Sequence, residues 1–296
     1  MQEEARAQWE EGECPLCSST RARTLYSFSR ASYVRCLACG LVHLRPRLRE
    51  AAMLRLYQDS AYFSGSAELG YEGYESEAPA LTRTFQRRLD ELAPYQPRGR
   101  LLDVGCGTGL LVEAALARGY DAHGIDASAH AVERAQRALG ARVRVGTLDS
   151  ARFDEPFDLV TGFDVFEHLY QPRVFVRRLA SLLRPGGSVA LATPNYDSWL
   201  RRLLGRRSVS FKIPEHVAYY DPRTLALAVA EEFRVVEQRW IGQYCSIGFL
   251  ERRLRGVAGA LGGLVPACAA VWLRLTGRPL EPYVPSGSLL AILARR

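Results

Sequence analysis

The stretch "LLDVGCGTG", residues 101–109, decides the fold. An apolar run of buried-strand type meets glycines at alternate positions, Gly105, Gly107 and Gly109. It gives way to "LLVEAALARG", whose spacing predicts a helix closed by Gly119. Glycines let the backbone turn sharply and pass close to a ligand, and the carboxyl end of a strand is where open α/β sheets bind ligands. A dinucleotide fingerprint needs its third glycine at position 110, which is leucine, so the spacing speaks against NAD.

Outward from the loop, strands and helices alternate. "DAHGID" reads as a strand and "SAHAVERAQRALG" as a helix bracketed by Ser128 and Gly140. "RVRVG" and "FDLVTGF" follow as strands, "PRVFVRRLASLLRPGG" as a helix and "SVALATP" as a strand. Such alternation predicts an α/β fold, a parallel sheet with helices on both faces. Asp126 ends the second strand about twenty residues past the loop, where a carboxylate accepts the ribose hydroxyls of a bound nucleoside.

Upstream, "CPLC" (Cys14–Cys17) is answered by "CLACG" (Cys36–Gly40). Each pair makes a tight turn that aims two thiolates at one point, and two pairs complete a tetrahedral zinc shell. "TLYSFSRASYVR" between them has the content of short strands, so residues 1–48 read as a small zinc ribbon held by Cys14, Cys17, Cys36 and Cys39. A closed shell of four thiolates has no open position, which makes that metal structural. His43, just past the last pair, reads as a surface residue.

The chain has 296 residues, 48% hydrophobic and 24% charged, the composition of a globular protein and not of a disordered one. Its net charge of +7 is spread over scattered arginine pairs, without the dense basic stripe interleaved with aromatics that nucleic-acid binding asks for. Nucleic acid is therefore not the expected partner, and an RNA methyltransferase is kept only as an alternative. The acidic, polar N-terminus reads as lacking a signal peptide, and with paired CxxC motifs this points to the cytoplasm. Oligomeric state is not legible.

At this point the sequence resembles a known family. "LLDVGCGTG", "GIDAS", "FDLVTGFDVFEHL", "LLRPGGSVALATPN" and "PEHVAYYDPRTL", in that order, are similar to class I S-adenosylmethionine-dependent methyltransferases over roughly residues 101–240. The zinc module with "CGLVHLRPR" and "LYQDSAYF" resembles a bacterial subgroup tied to sugar or natural-product modification. The resemblance implies a Rossmann-like, seven-stranded sheet whose last strand, "GSLLAILAR", is antiparallel. It implies that Gly105, Gly107 and Gly109 lie against the methionine part of S-adenosylmethionine, and Asp103, Cys106 and Phe163 are expected among the cofactor-binding residues. Asp126 would hold the ribose, with Ala127 beside the adenine and Leu148 and Asp149 in the adenine-edge segment. Family members commonly carry an acidic residue where this chain has Thr147.

Methyl transfer needs an aligned acceptor, and a hydroxyl or carbon acceptor also needs its proton removed. Two stretches beyond the fourth and fifth strands carry suitable groups, "DVFEHL" (164–169) and "PEHVAYY" (214–220). Asp164 and Glu167 have capping-box spacing, which would make them the start of a helix. On such a helix Asp164, Glu167 and His168 would share one face. Glu167, His168 and His216 are the candidate catalytic groups, His168 and His216 as base or acceptor contact. Asp164, Glu167, His168 and His216 also resemble the ligand set of metal-dependent O-methyltransferases, which would add a second divalent metal.

The expected organisation is a zinc ribbon at 1–48, a helical or lid linker at 49–98 and a methyltransferase domain at 99–296 with an apolar insertion at about 246–280. The linker carries Tyr62, Tyr71 and Tyr74, and reads equally as lid or plain linker. The seventeen uncharged residues 257–273 read as an apolar substrate lid, with peripheral membrane contact as the second reading. The function this implies is methyl transfer to a small molecule. Oxygen is the expected acceptor atom, in natural-product, sugar or lipid-linked biosynthesis, with carbon or nitrogen as alternatives.

Overall fold

The structure is a computed structural model that describes residues 8–58, 74–208, 210–251, 274, 276 and 280–296. Tyr62 and Tyr71 and the apolar stretch 257–273 lie outside the described residues, as does the side chain of Tyr74.

Strands β1 (Trp9–Glu10), β2 (Ala22–Ser27), β3 (Ser32–Cys36), β4 (Val42–Arg45) and β5 (Arg47–Leu48) lead to helices α1 (Glu50–Gln58) and α2 (Tyr74–Leu92). Next come β6 (Arg100–Val104), α3 (Leu110–Leu116), β7 (Asp121–Asp126), α4 (Ala129–Leu139), β8 (Val143–Val145), β9 (Phe157–Phe163) and α5 (Pro172–Leu182). The chain closes with β10 (Leu183–Pro194), α6 (Trp199–Leu204), β11 (Ala218–Tyr219), α7 (Pro222–Val229), β12 (Phe233–Tyr244) and β13 (Tyr283–Arg295).

Seven strands form one sheet in the order β12-β13-β10-β9-β6-β7-β8, in which β13 runs antiparallel to both neighbours. Its strands read as near-continuous apolar runs because both faces are covered. Leu102, Val104, Val160 and Leu191 belong to one core cluster, while Leu101, Leu159, Ala190 and Ile292 belong to another that includes Leu89 and Leu92 of α2. Helix limits follow the local chemistry. The Ser128 side chain caps α4 by accepting from Ala131 N at 3.3 Å, and Asp221 caps α7 in a capping box with Thr224. Helix α5 stops at Leu182, earlier than its sequence pattern suggests, because "LRPGG" already belongs to β10, across a register shift between Leu183 and Ser188.

The cysteine module is built into this body. Its four-stranded sheet has the order β11-β4-β3-β2, so the outer strand comes from residues 218–219, in the chain beyond β10. Cys14, Leu16, Cys36, Cys39 and Leu41 share a core cluster with Phe166, Tyr220 and Val229. His43 is consequently buried, 1% exposed, and not at the surface, because β11 covers β4 on that side. A smaller cluster of Leu48, Met53, Tyr170 and Val217 seats α1 against the same region.

Candidate active site

The carboxyl edge of the sheet gathers the groups singled out in the sequence. Gly105, Gly107 and Gly109 all have positive φ, at 76°, 51° and 84°. This left-handed backbone costs L side chains roughly 1–2 kcal/mol per residue, so only glycine runs through it freely. A Cβ on Gly105 would lie 2.4 Å from Val165 Cγ2. Asp126 accepts from Gly107 N and Ser128 N, both at 2.8 Å, which locks its carboxylate beside the loop. Burial raises its pKa. Asp103 is turned into the sheet, where it accepts from the Thr161 hydroxyl at 2.7 Å, and burial pushes its pKa up to about 7. Cys106 is buried against Gly124, and Leu148 is buried while its carbonyl accepts from Arg178 Nε at 3.0 Å. Ala127 directly follows β7, and Asp149 lies in the loop after β8. Phe163 ends β9 and lines a narrow cleft with Asp164, Arg88, Ala192 and Ile241.

"DVFEHL" does not start a helix. Asp164 has φ 55° and gives its N–H to Ala192 O at 2.8 Å, and Phe166–His168 form a single 3₁₀ turn with no side-chain cap. The capping box expected from Asp164 and Glu167 is therefore absent. Glu167 O instead accepts from Val217 N at 2.9 Å, tying this turn to the loop that carries His216, and α5 begins only at Pro172. The left-handed residue also takes Asp164 away from the expected shared face. Among the described residues the ligand atoms that converge are those of Glu167, His168 and His216, all within 4.8 Å of one another.

The environment of these three is distinct. Glu167 is 1% exposed and accepts from the Thr193 hydroxyl at 2.8 Å. Burial, and then the Asp164 charge, push its pKa up to about 8. Burial lowers His168 to about 4 and holds His216 well below the usual range, so both imidazoles are neutral at pH 7. His168 Nδ1 lies 3.0 Å from the Glu215 carbonyl, and a carbonyl only accepts, so Nδ1 carries the proton. His216 Nδ1 faces the Tyr219 hydroxyl at 3.1 Å, and that hydroxyl donates to Ser210 O, so Nδ1 is again the donor. Both Nε2 atoms keep their lone pairs, the arrangement that ligating histidines adopt. Lys212, the one lysine of the sequence, is close enough for its charge to act on Glu167, His168 and His216.

The four module cysteines form the other cluster. Cys14 and Cys39 sulfurs are 3.5 Å apart, as are those of Cys17 and Cys36, and all four lie within 4.8 Å. A tetrahedral Zn²⁺ with bonds of about 2.3 Å spaces its sulfurs about 3.8 Å apart, so the donor set fits. Burial raises the Cys14 and Cys39 thiols, so these two become thiolates only beside a cation, whereas at Cys36 burial is outweighed by backbone and side-chain hydrogen bonds, which bring it down to about 7. The buried Tyr220 hydroxyl is without a hydrogen-bond partner among the described residues, and burial holds its pKa well above the usual range.

Sequence reasoning missed Tyr57 and Gln58 of α1. Tyr57 Oη lies 2.9 Å from His168 Nδ1, and the Gln58 amide donates to Ala127 O at 2.5 Å. Their contacts span 111 and 69 residues, and no local pattern announces them.

The profile of the family described as "Methyltransferase domain" matches residues 74–238, more than half of the chain. The ubiquinone biosynthesis O-methyltransferase of Erwinia tasmaniensis is 32% identical over 152 residues, 47% of this chain and 63% of that protein, so the match spans less than two thirds of it. The protein of the same name from Paracidovorax citrulli is 33% identical over 189 residues, 57% of this chain and 79% of the relative. Among solved structures, magnesium protoporphyrin IX methyltransferase from Synechocystis with bound SAH aligns with a TM-score of 0.51 at 18% identity, over 83% of this chain and all of that one, a likeness of fold. The protein thus belongs to the methyltransferase-domain family, and its seven-stranded sheet is that of the class I methyltransferase fold.

Proposed function

We propose that this methyltransferase transfers the methyl of S-adenosylmethionine to a hydroxyl of a small molecule, beside a divalent cation held by Glu167, His168 and His216. The observation that carries the reading is the convergence of one glutamate, which burial keeps protonated near pH 7 and whose proton a cation would displace, with two neutral imidazoles, their ligand atoms within 4.8 Å at the carboxyl edge of the sheet. Two histidines and a carboxylate are a recurrent ligand set for divalent ions. In this reading Asp126 accepts the ribose hydroxyls, the 105–109 loop and Phe163 border the methionine end, and Ala127, Leu148 and Asp149 border the adenine.

The sulfonium methyl is already activated, so the chain's main task is alignment, which can be worth roughly 7–11 kcal/mol. A bound cation would supply Lewis-acid polarisation of the acceptor hydroxyl. Glu167, His168 and His216 would hold it, and the Thr193 hydroxyl and Glu215 carbonyl orient Glu167 and His168. Direct general-base catalysis by His168 is the weaker reading, since an imidazole with a pKa of about 4 is a poor proton acceptor at pH 7.

Cys14, Cys17, Cys36 and Cys39 are assigned a structural Zn²⁺, which in modules of this size contributes roughly 10 kcal/mol or more of folding free energy. A cytoplasmic setting, where thiols stay reduced, accords with such a site. No helix among the described residues is long and apolar enough to cross a membrane. The names of the relatives point to oxygen as acceptor atom and put quinone-type phenols first among acceptors to try. Natural-product, sugar and lipid-linked hydroxyls stay within the same proposal. The test is a mass-shift screen of phenol, catechol and sugar acceptors, with Mg²⁺ added or chelated. A gain of one methyl on oxygen that is lost on chelation and restored by Mg²⁺ is expected. Chelator-insensitive transfer, with zinc retained in the cysteine module, would rule out the second cation.

A further inference from the structure

We infer that Tyr57, on the last turn of α1, is a positioning residue that fixes the tautomer and orientation of His168. The inference rests on the assignment of His168 to the methyl-transfer site.

Tyr57 Oη lies 2.9 Å from His168 Nδ1, and the two rings meet edge to face with centroids 6.1 Å apart. The same Nδ1 is 3.0 Å from the Glu215 carbonyl. A nitrogen lone pair facing that carbonyl would be repelled, so Nδ1–H is shared between two acceptors, the carbonyl and the phenolic oxygen. The phenol proton is then directed elsewhere. With both acceptors in place the Nδ1–H is held between two oxygens, and Nε2 is left as the lone-pair atom. With the carbonyl alone, the ring keeps one contact about which it can tilt.

Tyr57 can do this because its helix is anchored. Met53, 1% exposed, packs with Leu48, Tyr170 and Val217, and Leu56 and Tyr57 pack against the same cluster. The Tyr170 hydroxyl donates to Leu48 O at 2.7 Å, just ahead of α1. On the other side, Gln58 donates to Ala127 O and accepts from Ala129 N at 3.4 Å, gripping the backbone that follows Asp126. One helical turn therefore bridges the end of β7, on the proposed adenosine side, to His168. A partner borne on an anchored helix orients a ring more tightly than one on a free loop. The helix follows directly on β5, so the packing of the cysteine module sets where Tyr57 is presented.

The experiment is a long-range ¹H–¹⁵N imidazole spectrum of the full-length, zinc-loaded chain and of Tyr57→Phe, with His168→Ala used to assign the signal among the five histidines. Wild type should show His168 as the Nδ1–H tautomer. Tyr57→Phe, having lost one hydrogen-bond partner, should raise the Nε2–H share by roughly five- to tenfold. His216 signals and SAH affinity should stay as in wild type. An unchanged His168 tautomer ratio in a folded Tyr57→Phe overturns the inference. So does a wild-type His168 in the Nε2–H form, a result that needs no variant to fold. The assignment of His168 itself is read separately. Full methyl transfer by His168→Ala would remove that assignment, while the tautomer result still decides whether Tyr57 orients the ring.

Discussion

Replacing His43 by leucine should stabilise the protein, and by more as the pH falls. His43 sits on β4 between Val34 of β3 and Ala218 of β11, 1% exposed, and neither ring nitrogen has a hydrogen-bond partner among the described residues. Burial, aided by the charges of Arg47 and Arg45, lowers its pKa from 6.5 to about 4. The unfolded chain therefore takes up a proton as the pH drops through about 6.5, while the folded chain does so only near pH 4. Between these values the unfolded state binds more protons, so stability falls with falling pH. The gap of about 2.5 units, at about 1.4 kcal/mol per unit, sets the full loss at roughly 3 kcal/mol, of which about 2 kcal/mol is incurred by pH 5. Leucine removes this dependence and also the unsatisfied ring nitrogens, worth about 1 kcal/mol at neutral pH. Urea unfolding of wild type and His43→Leu at pH 7.5 and pH 5 measures it. Zinc loss at the lower pH acts on both proteins alike and cancels in the difference. A stability difference that does not grow towards pH 5 would refute the burial of a neutral His43 between the module and the main body.

Three further outcomes follow from the same geometry. Gly105→Ala combines a φ of 76° with a Cβ 2.4 Å from Val165 Cγ2, and should weaken SAH binding by tenfold or more in calorimetry; wild-type affinity would mean the loop is not the cofactor cradle. Asp126→Ala removes the acceptor for Gly107 N and Ser128 N together with the proposed ribose contact. It should cost roughly 10- to 100-fold in SAH affinity, and an unchanged affinity would free Asp126 of that role. Cys14→Ser should lose the module's zinc and lower the melting temperature. Methyl transfer should fall with it, because β4 pairs with β11 directly after His216; a zinc-free variant with wild-type melting would contradict a structural metal.

What was legible in the sequence was local. The glycine loop, the alternation of strands and helices, Ser128 as a cap and the twin CxxC pairs depend on neighbours within a few residues, and the structure has each of them. The antiparallel β13 followed from resemblance to the family. What was not legible depended on distant partners. Asp164 and Glu167 carry the spacing of a capping box, but Ala192 O takes one backbone N–H and Val217 N takes the Glu167 carbonyl, and the turn closes as 3₁₀. His43 looks exposed until β11, whose residues come some 175 positions later, is laid beside it. Tyr57 and Gln58 stand in an unremarkable amphipathic helix, and only packing on Tyr170 and Val217 brings them to His168 and Ala127.

The most direct measurement of the central claim is single-turnover methyl transfer to the best acceptor from the screen, by wild type, His168→Ala and His216→Ala, with SAH affinity measured on the same samples. Removing either imidazole takes away one of three converging ligands. Turnover should drop by a hundredfold or more in each variant, in line with the roughly 10- to 100-fold weaker cation binding and the lost acceptor polarisation, while SAH affinity stays within about twofold. Near-wild-type turnover in both variants would contradict the claim that Glu167, His168 and His216 form the methyl-transfer site.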